Sequence, residues 1–176
     1  MGKKAFVTVG TTKFEELITS IDSFDLGNAL VEKGFTQLVV QKGNGQHDFT
    51  ELLADNPQQS ERRPNLKVEC FDFLPSIREH MESSSLIICH AGAGSIFEGL
   101  HAGKDLVVVP NTRLMDNHQV ELAAHLDHLG HLVCASPSTL VEAVNTMDER
   151  RNSRQPFRKG GPDQIVSRIN EIMGIE

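Results

Sequence analysis

At 176 residues, 39% hydrophobic and 23% charged, the chain is long enough to bury one good core and short for two domains. A formal charge of −7 excludes the basic excess of a general nucleic-acid binder, and it excludes a membrane anchor built from overall positive charge. The opening MGKKAFVTVGTT is too brief an apolar run for a secretory signal or a spanning helix, which points to a cytoplasmic or nuclear chain. Phe6 stands where a myristoylation signal requires Ser or Thr. Cys70, Cys89 and Cys134 are widely spaced within apolar runs and read as buried free thiols rather than a metal or redox pair.

In chain order, apolar runs at 5–9, 37–41, 67–71, 86–89, 106–109 and 131–135 alternate with helical patterns. That rhythm predicts an α/β fold: a Rossmann-like parallel sheet of about six strands with helices on both faces. The first helix follows Thr11-Thr12, with Thr12 and Glu15 as a capping box and Phe14, Leu17, Ile18 and Ile21 as its apolar face. A second carries Leu26, Ala29 and Leu30 and ends at Gly34. The polar stretch 43–65 reads as a connection with one short helix at 49–54. A third helix is expected to start at Pro75 and bury Ile77 and Met81. A later one, after Asp116-Asn117, presents Leu122, Leu126 and Leu129 and stops at Gly130. Helices over STLVEAVNTM and PDQIVSRINEIM complete the set. The domain is therefore read as 1–147, followed by a basic linker at 148–161 and a final helix at 162–176 that packs on the domain or on a partner chain. The linker is either a solvated loop or a contact with a partner or anionic lipid.

Three polar turns end strands where an open parallel sheet binds ligands: Gly10-Thr11-Thr12, Gly43-Asn44-Gly45, and His90 to Ser95. The last is followed directly by a helix. Gly92, Ala93, Gly94 and Ser95 let the backbone come close to a ligand, and the free amides of a first helical turn suit phosphate oxygens. Glu98, one turn on and set aside, can accept two hydrogen bonds from a ribose diol. Taken alone, the same turn also suits tight strand–helix packing. Asn117, His118 and Gln119 open another helix and offer partners for sugar hydroxyls; Asn117 is equally an N-cap residue. No G-x-G-x-x-G turn follows the first strand and no P-loop is present, which argues against a dinucleotide enzyme or a P-loop NTPase. His125, His128 and His131 lack a completing ligand set for zinc and read as a solvated face.

Together the stretches FVTVGTTKFEELI, FDFLPSIREHMESSSLIICHAGAGSIFEGLHAGKDLVVVP and LMDNHQVELAAHLDHLGHL resemble one family. It is the soluble catalytic subunit of the eukaryotic two-subunit UDP-N-acetylglucosamine transferase of lipid-linked oligosaccharide synthesis. More distantly, they are similar to the C-terminal half of the bacterial peptidoglycan N-acetylglucosaminyltransferase, a GT-B enzyme. The resemblance runs from about residue 4 to about 147; Ser85 and Asp105 depart from the family pattern outside the motifs.

The resemblance implies transfer of N-acetylglucosamine from UDP-GlcNAc to GlcNAc-diphosphodolichol, with inversion and without cofactor or metal. Gly92, Ala93, Gly94 and Ser95 would hold the diphosphate, Glu98 the ribose, and Phe73-Leu74 the uracil. Asn117, His118 and Gln119 would face the sugar, and Gly10, Thr11 and Thr12 would line the cleft. His90 or His118 is a candidate general base. A donor half alone needs a membrane-anchored partner subunit with the acceptor half, recruiting this chain to the cytosolic face of the endoplasmic reticulum. Two other readings share the architecture: a sugar-nucleotide epimerase, and a non-catalytic subunit that only binds its partner.

Overall fold

The six apolar runs form six strands of one sheet: β1 (Lys3–Thr8), β2 (Phe35–Gln41), β3 (Lys67–Phe71), β4 (Leu86–His90), β5 (Asp105–Val109) and β6 (Val133–Cys134). This computed structural model describes residues 2–53, 64–112, 117–152 and 157, apart from the side chains of 117, 118 and 150–152. The strand order is β3-β2-β1-β4-β5-β6, and all neighbours pair in parallel. The helices are α1 (Glu15–Ile21), α2 (Phe24–Glu32), α3 (Arg78–Ser83), α4 (Ala93–His101), α5 (Asn117–His128) and α6 (Leu140–Asn152).

Successive strand residues point to opposite faces, so each apolar run supplies two cores. Ala5, Val7, Leu38, Val40, Leu86, Ile88, Val107 and Val109 pack under α1, α2 and α6 through Leu17, Ile18, Ile21, Leu26, Leu30, Leu140, Val144 and Met147. Phe6, Val39, Ile87, Cys89, Leu106 and Val108 pack under α3, α4 and α5 through Met81, Ile96, Leu100, Ala123 and Leu126. The predicted α/β parallel sheet, covered on both faces, is therefore the observed fold.

The differences lie where tertiary contacts do the work expected of local signals. No capping box opens α1: Phe14 is its N-cap residue, with no side-chain cap. The Thr12 hydroxyl donates instead to the Val9 carbonyl at 2.7 Å, and Glu15 accepts from the Gln46 amide at 2.7 Å. Pro75 lies outside α3, which begins at Arg78 and buries Met81 while Ile77 is half-buried. On α5 the buried stripe runs through Ala123 and Leu126; Leu129, beyond the helix end, is 43% exposed, and Gly130 turns the chain at φ +73°. Of the thiols, Cys89 is buried while Cys70 and Cys134 are half-buried; burial pushes Cys70 and Cys89 up to about 12, so both stay protonated. Helix α6 runs through Asp148, which pairs with Lys33 at 2.9 Å, and on to Asn152. The expected final helix at 162–176 lies outside the described residues.

Residues 49–53 do not form the expected short helix. Their amides converge on Asp22, whose carboxylate accepts from Thr50 (2.7 Å), Glu51 (3.2 Å) and Leu52 (2.9 Å), and from His47 Nε2 at 3.0 Å. Burial alone would raise the Asp22 pKa, but these donors outweigh it and hold the carboxyl below its ordinary range. A folded-state pKa below the unfolded one gives stability that is full above about pH 4 and fades as pH falls through the folded value. Asp22→Asn is expected to cost about 2–3 kcal/mol at neutral pH. The gap to the native chain should narrow at about pH 3, as urea denaturation at the two pH values will show.

Candidate functional site

Strand order reverses between β1 and β4. From β1 the chain leaves toward β2, and from β4 it leaves toward β5, so the loops of two adjacent strands diverge and open a crevice at the carboxyl edge. His90 fills its floor. The imidazole is 8% exposed and wedged between two glycines: a Cβ on Gly10 would sit 3.1 Å from His90 Cε1, and one on Gly92 would sit 2.5 Å from Nε2. Gly10 also adopts φ +61°, which side-chain-bearing residues resist. Burial lowers the His90 pKa, the Thr8 carbonyl opposing in part, so the ring is neutral at physiological pH. Its Nδ1 is buried without a hydrogen-bond partner.

The loop after β1 is tied to the loop after β2. Asn44 donates from its amide to the Thr12 carbonyl at 3.2 Å and from Nδ2 to the Thr11 carbonyl at 2.8 Å. Gly43, at φ +60°, lies so close to the Thr12 carbonyl that a side chain would collide with it. Beneath, the Thr8 hydroxyl donates to Gln41 Oε1 at 2.6 Å and accepts from the Gly10 amide at 3.1 Å.

On the other side of the ring, α4 starts with Gly92 as its N-cap and with no side chain capping it. Its first-turn amides carry the positive end of the helix dipole and have no local acceptor. Ala93 and Gly94 are exposed, Ser95 is half-buried, and a Cβ on Gly94 would meet nothing within 4 Å. The backbone here is open to an incoming group. Glu98 is exposed one turn along the same helix. After β3, Phe73 (46% exposed) and Leu74 (39%) present an apolar surface at this edge of the sheet. Helix α5 follows β5 and so also starts at this edge. Its Gln119 is half-buried, with Oε1 buried and unpartnered. Asn117 and His118 are in its first turn, their side chains outside the described ones.

The structure thus brings Gly10, His90 and Gly92 into direct contact, sets the α4 start beside them, and leaves Phe73-Leu74 and Gln119 on flanking elements. Sequence reasoning missed Thr8 and Gln41. Their signal was a hydroxyl and an amide at the ends of otherwise apolar strands. The histidines near α5 are not one solvated face: His128 is exposed, but His125 Nε2 is buried without a partner, and His131 packs edge-on against Phe157 at 5.3 Å. Among the described residues no three His, Cys, Asp or Glu side chains group as metal ligands, and no helix is long and apolar enough to cross a membrane.

The model of the glycosyltransferase family 28 C-terminal domain matches residues 4–165. The UDP-N-acetylglucosamine transferase subunit ALG13 of Mus musculus is 41% identical over 130 residues, which cover 74% of this chain and 10% of the mouse protein. The chain therefore spans about a tenth of that relative's length. The ALG13 subunit of Yarrowia lipolytica is 32% identical over 165 residues, covering 93% of this chain and 80% of the relative. In fold, the chain is similar to an ALG13 solution structure (TM-score 0.67, 24% identity, 98% of each chain). It is also similar to MurG of Acinetobacter baumannii (TM-score 0.60, 21% identity, 97% of this chain and 50% of that one). The chain belongs to the glycosyltransferase family 28 C-terminal domain family and, within it, to the ALG13 group of UDP-N-acetylglucosamine transferase subunits.

Proposed function

We propose that the chain binds UDP-GlcNAc at the β1–β4 crevice and is the donor-binding catalytic subunit of an N-acetylglucosaminyltransferase. The observation that carries this reading is the uncapped start of α4, open at Gly94 and flanked by the neutral His90 ring and the Gly10 loop. A diphosphate fits there because helix-terminal amides stabilise phosphate oxygens with little reorganisation. Glu98 lies far enough along α4 to take the ribose hydroxyls without pressing on the phosphates. Exposed Phe73 and Leu74 suit the uracil ring, and Gln119 has a free acceptor for a sugar hydroxyl. Asn117 and His118 join Gln119 at the sugar, and Thr11 and Thr12 line the cleft with Gly10.

In the reaction, a hydroxyl of GlcNAc-diphosphodolichol attacks the anomeric carbon as the bond to UDP breaks, with inversion. The α4 amides take up the charge that grows on the leaving diphosphate. The proton passes to a base, for which His90 and His118 are the candidates on this chain. The relatives named above are called subunits, which supports a heteromer. We assign the acceptor half and the membrane anchor to the partner, place the complex on the cytosolic face of the endoplasmic reticulum, and assign the chain after α6 to a linker through 161 and a helix at 162–176 that packs on this domain or on the partner.

Three measurements test this. Glu98→Gln is expected to raise the UDP dissociation constant about tenfold by calorimetry, with the melting point unchanged because the side chain is exposed; unchanged affinity moves the site elsewhere. Transfer from UDP-GlcNAc to a short-chain GlcNAc-diphospholipid should need co-expression with the membrane subunit, and full transfer by this chain alone overturns the partner assignment. If neutral His90 is the base, kcat/KM has an acid limb below about pH 6.5 and is flat above it, because its pKa is lowered. His90→Gln should then remove that limb, and a limb that persists points to His118 or the partner.

A further inference from the structure

Three of the buried polar side chains, Thr8, Gln41 and His90, lie on adjacent strands at the carboxyl edge of the sheet. Among the described residues, the other buried polar side chains, Asp22, Ser84 and Asn111, sit in connecting segments. Thr8 is fully buried and Gln41 is 5% exposed, between strands whose remaining central positions are apolar. An apolar pair would fill the same space without the cost of burying a hydroxyl and an amide. What the polar pair supplies is a directed hydrogen bond. Gln41 Oε1 accepts a hydrogen bond from the Thr8 hydroxyl at 2.6 Å, which turns a Thr8 lone pair to the Gly10 amide at 3.1 Å. Gly10, held in its left-handed conformation, in turn meets the His90 ring, whose Nδ1 has no hydrogen bond and which the Thr8 carbonyl also contacts.

We infer that Thr8 and Gln41 are positioning residues: a relay from β2 through β1 fixes Gly10, and through Gly10 the His90 ring, in the geometry that admits the donor diphosphate. Both side chains are buried beneath the crevice and would not reach a ligand in it. Their effect passes through the backbone of one glycine and the face of one imidazole, so it falls on donor binding. The inference rests on the donor-site reading above.

The test uses the full chain. Thr8→Val keeps the shape and removes the hydroxyl; Gln41→Leu removes the orienting acceptor; Thr8→Ser restores the hydroxyl. UDP affinity by calorimetry, melting temperature and exchange of the Gly10 amide by NMR are measured for each. Thr8→Val and Gln41→Leu are expected to weaken UDP about tenfold and to speed Gly10 exchange while remaining folded at 25 °C, with Thr8→Ser close to native. In the complex with its partner subunit, donor KM should rise by the same factor. Both variants binding UDP as the native chain does, with only a lower melting temperature, overturns the inference, because the pair then merely holds strands together. If the native chain binds no UDP, the donor reading fails separately. Gly10 exchange then decides alone: faster in Thr8→Val upholds the relay, and unchanged removes it.

Discussion

The contact of His90 with Gly10 and Gly92 governs the shape of the crevice. The ring stands at the end of β4, and the two glycines belong to the loops that leave adjacent strands in opposite directions. A Cβ at either glycine would push against the imidazole, so neither position can take on a side chain without moving a loop. The ring in turn fills space that would otherwise be a hole beneath the α4 start. Because it is buried, its charged form is disfavoured and it stays a neutral, compact filler. Its Nδ1 lacks a partner, a cost of about 1–3 kcal/mol that a purely structural core would avoid with an apolar residue. A cost of this kind, kept where loops converge, is what the proposed donor site would account for.

The rest of the fold holds that contact still. β1 and β4 are central strands, paired on both sides and packed on both faces, so their carboxyl ends move little relative to each other. The loop after β1 is tied to the loop after β2 by Asn44 and Gly43, and that second loop continues into the stretch anchored by Glu15 and Asp22. The crevice thus has one wall bound to the α1 surface by hydrogen bonds. The other wall is helix α4, packed through Ile96 and Leu100 against the sheet, with Gly99 close to Leu106.

Much of the frame was legible in the sequence because its cause is local. A parallel strand buried on both faces must be a short unbroken apolar run, and all six runs became strands. Boundaries failed where a partner distant in sequence replaced a local cap. Thr12 and Glu15 spell a capping box, yet each bonds to a loop instead, and the amides of 50–52 turn to Asp22 rather than to a helical partner. At the site, the stretch from His90 to Glu98 could be read because turn and helix are contiguous. The wedge of His90 against Gly10 could not, since it exists only once β1 and β4 lie side by side. Thr8 and Gln41 were hidden for the same reason: each looks like an ordinary strand end until the register pairs them.

The net charge of −7 opposes the proposed ligand at long range, since it repels a nucleoside diphosphate. At physiological salt, however, exposed charges farther away than about 8 Å are largely screened, while groups in contact are not. The ligand would therefore respond to the uncapped amides of α4 and to a neutral imidazole rather than to the surface as a whole. Glu98 fits the same logic. On the exposed side of α4, one turn from the amides, its charge is well hydrated and costs an incoming phosphate little, yet it is still available to a diol beside it. Recognition by fixed backbone dipoles, as proposed, would also account for loops set so closely by glycine, threonine and glutamine: amides that attract weakly one at a time act together only when each is held in place.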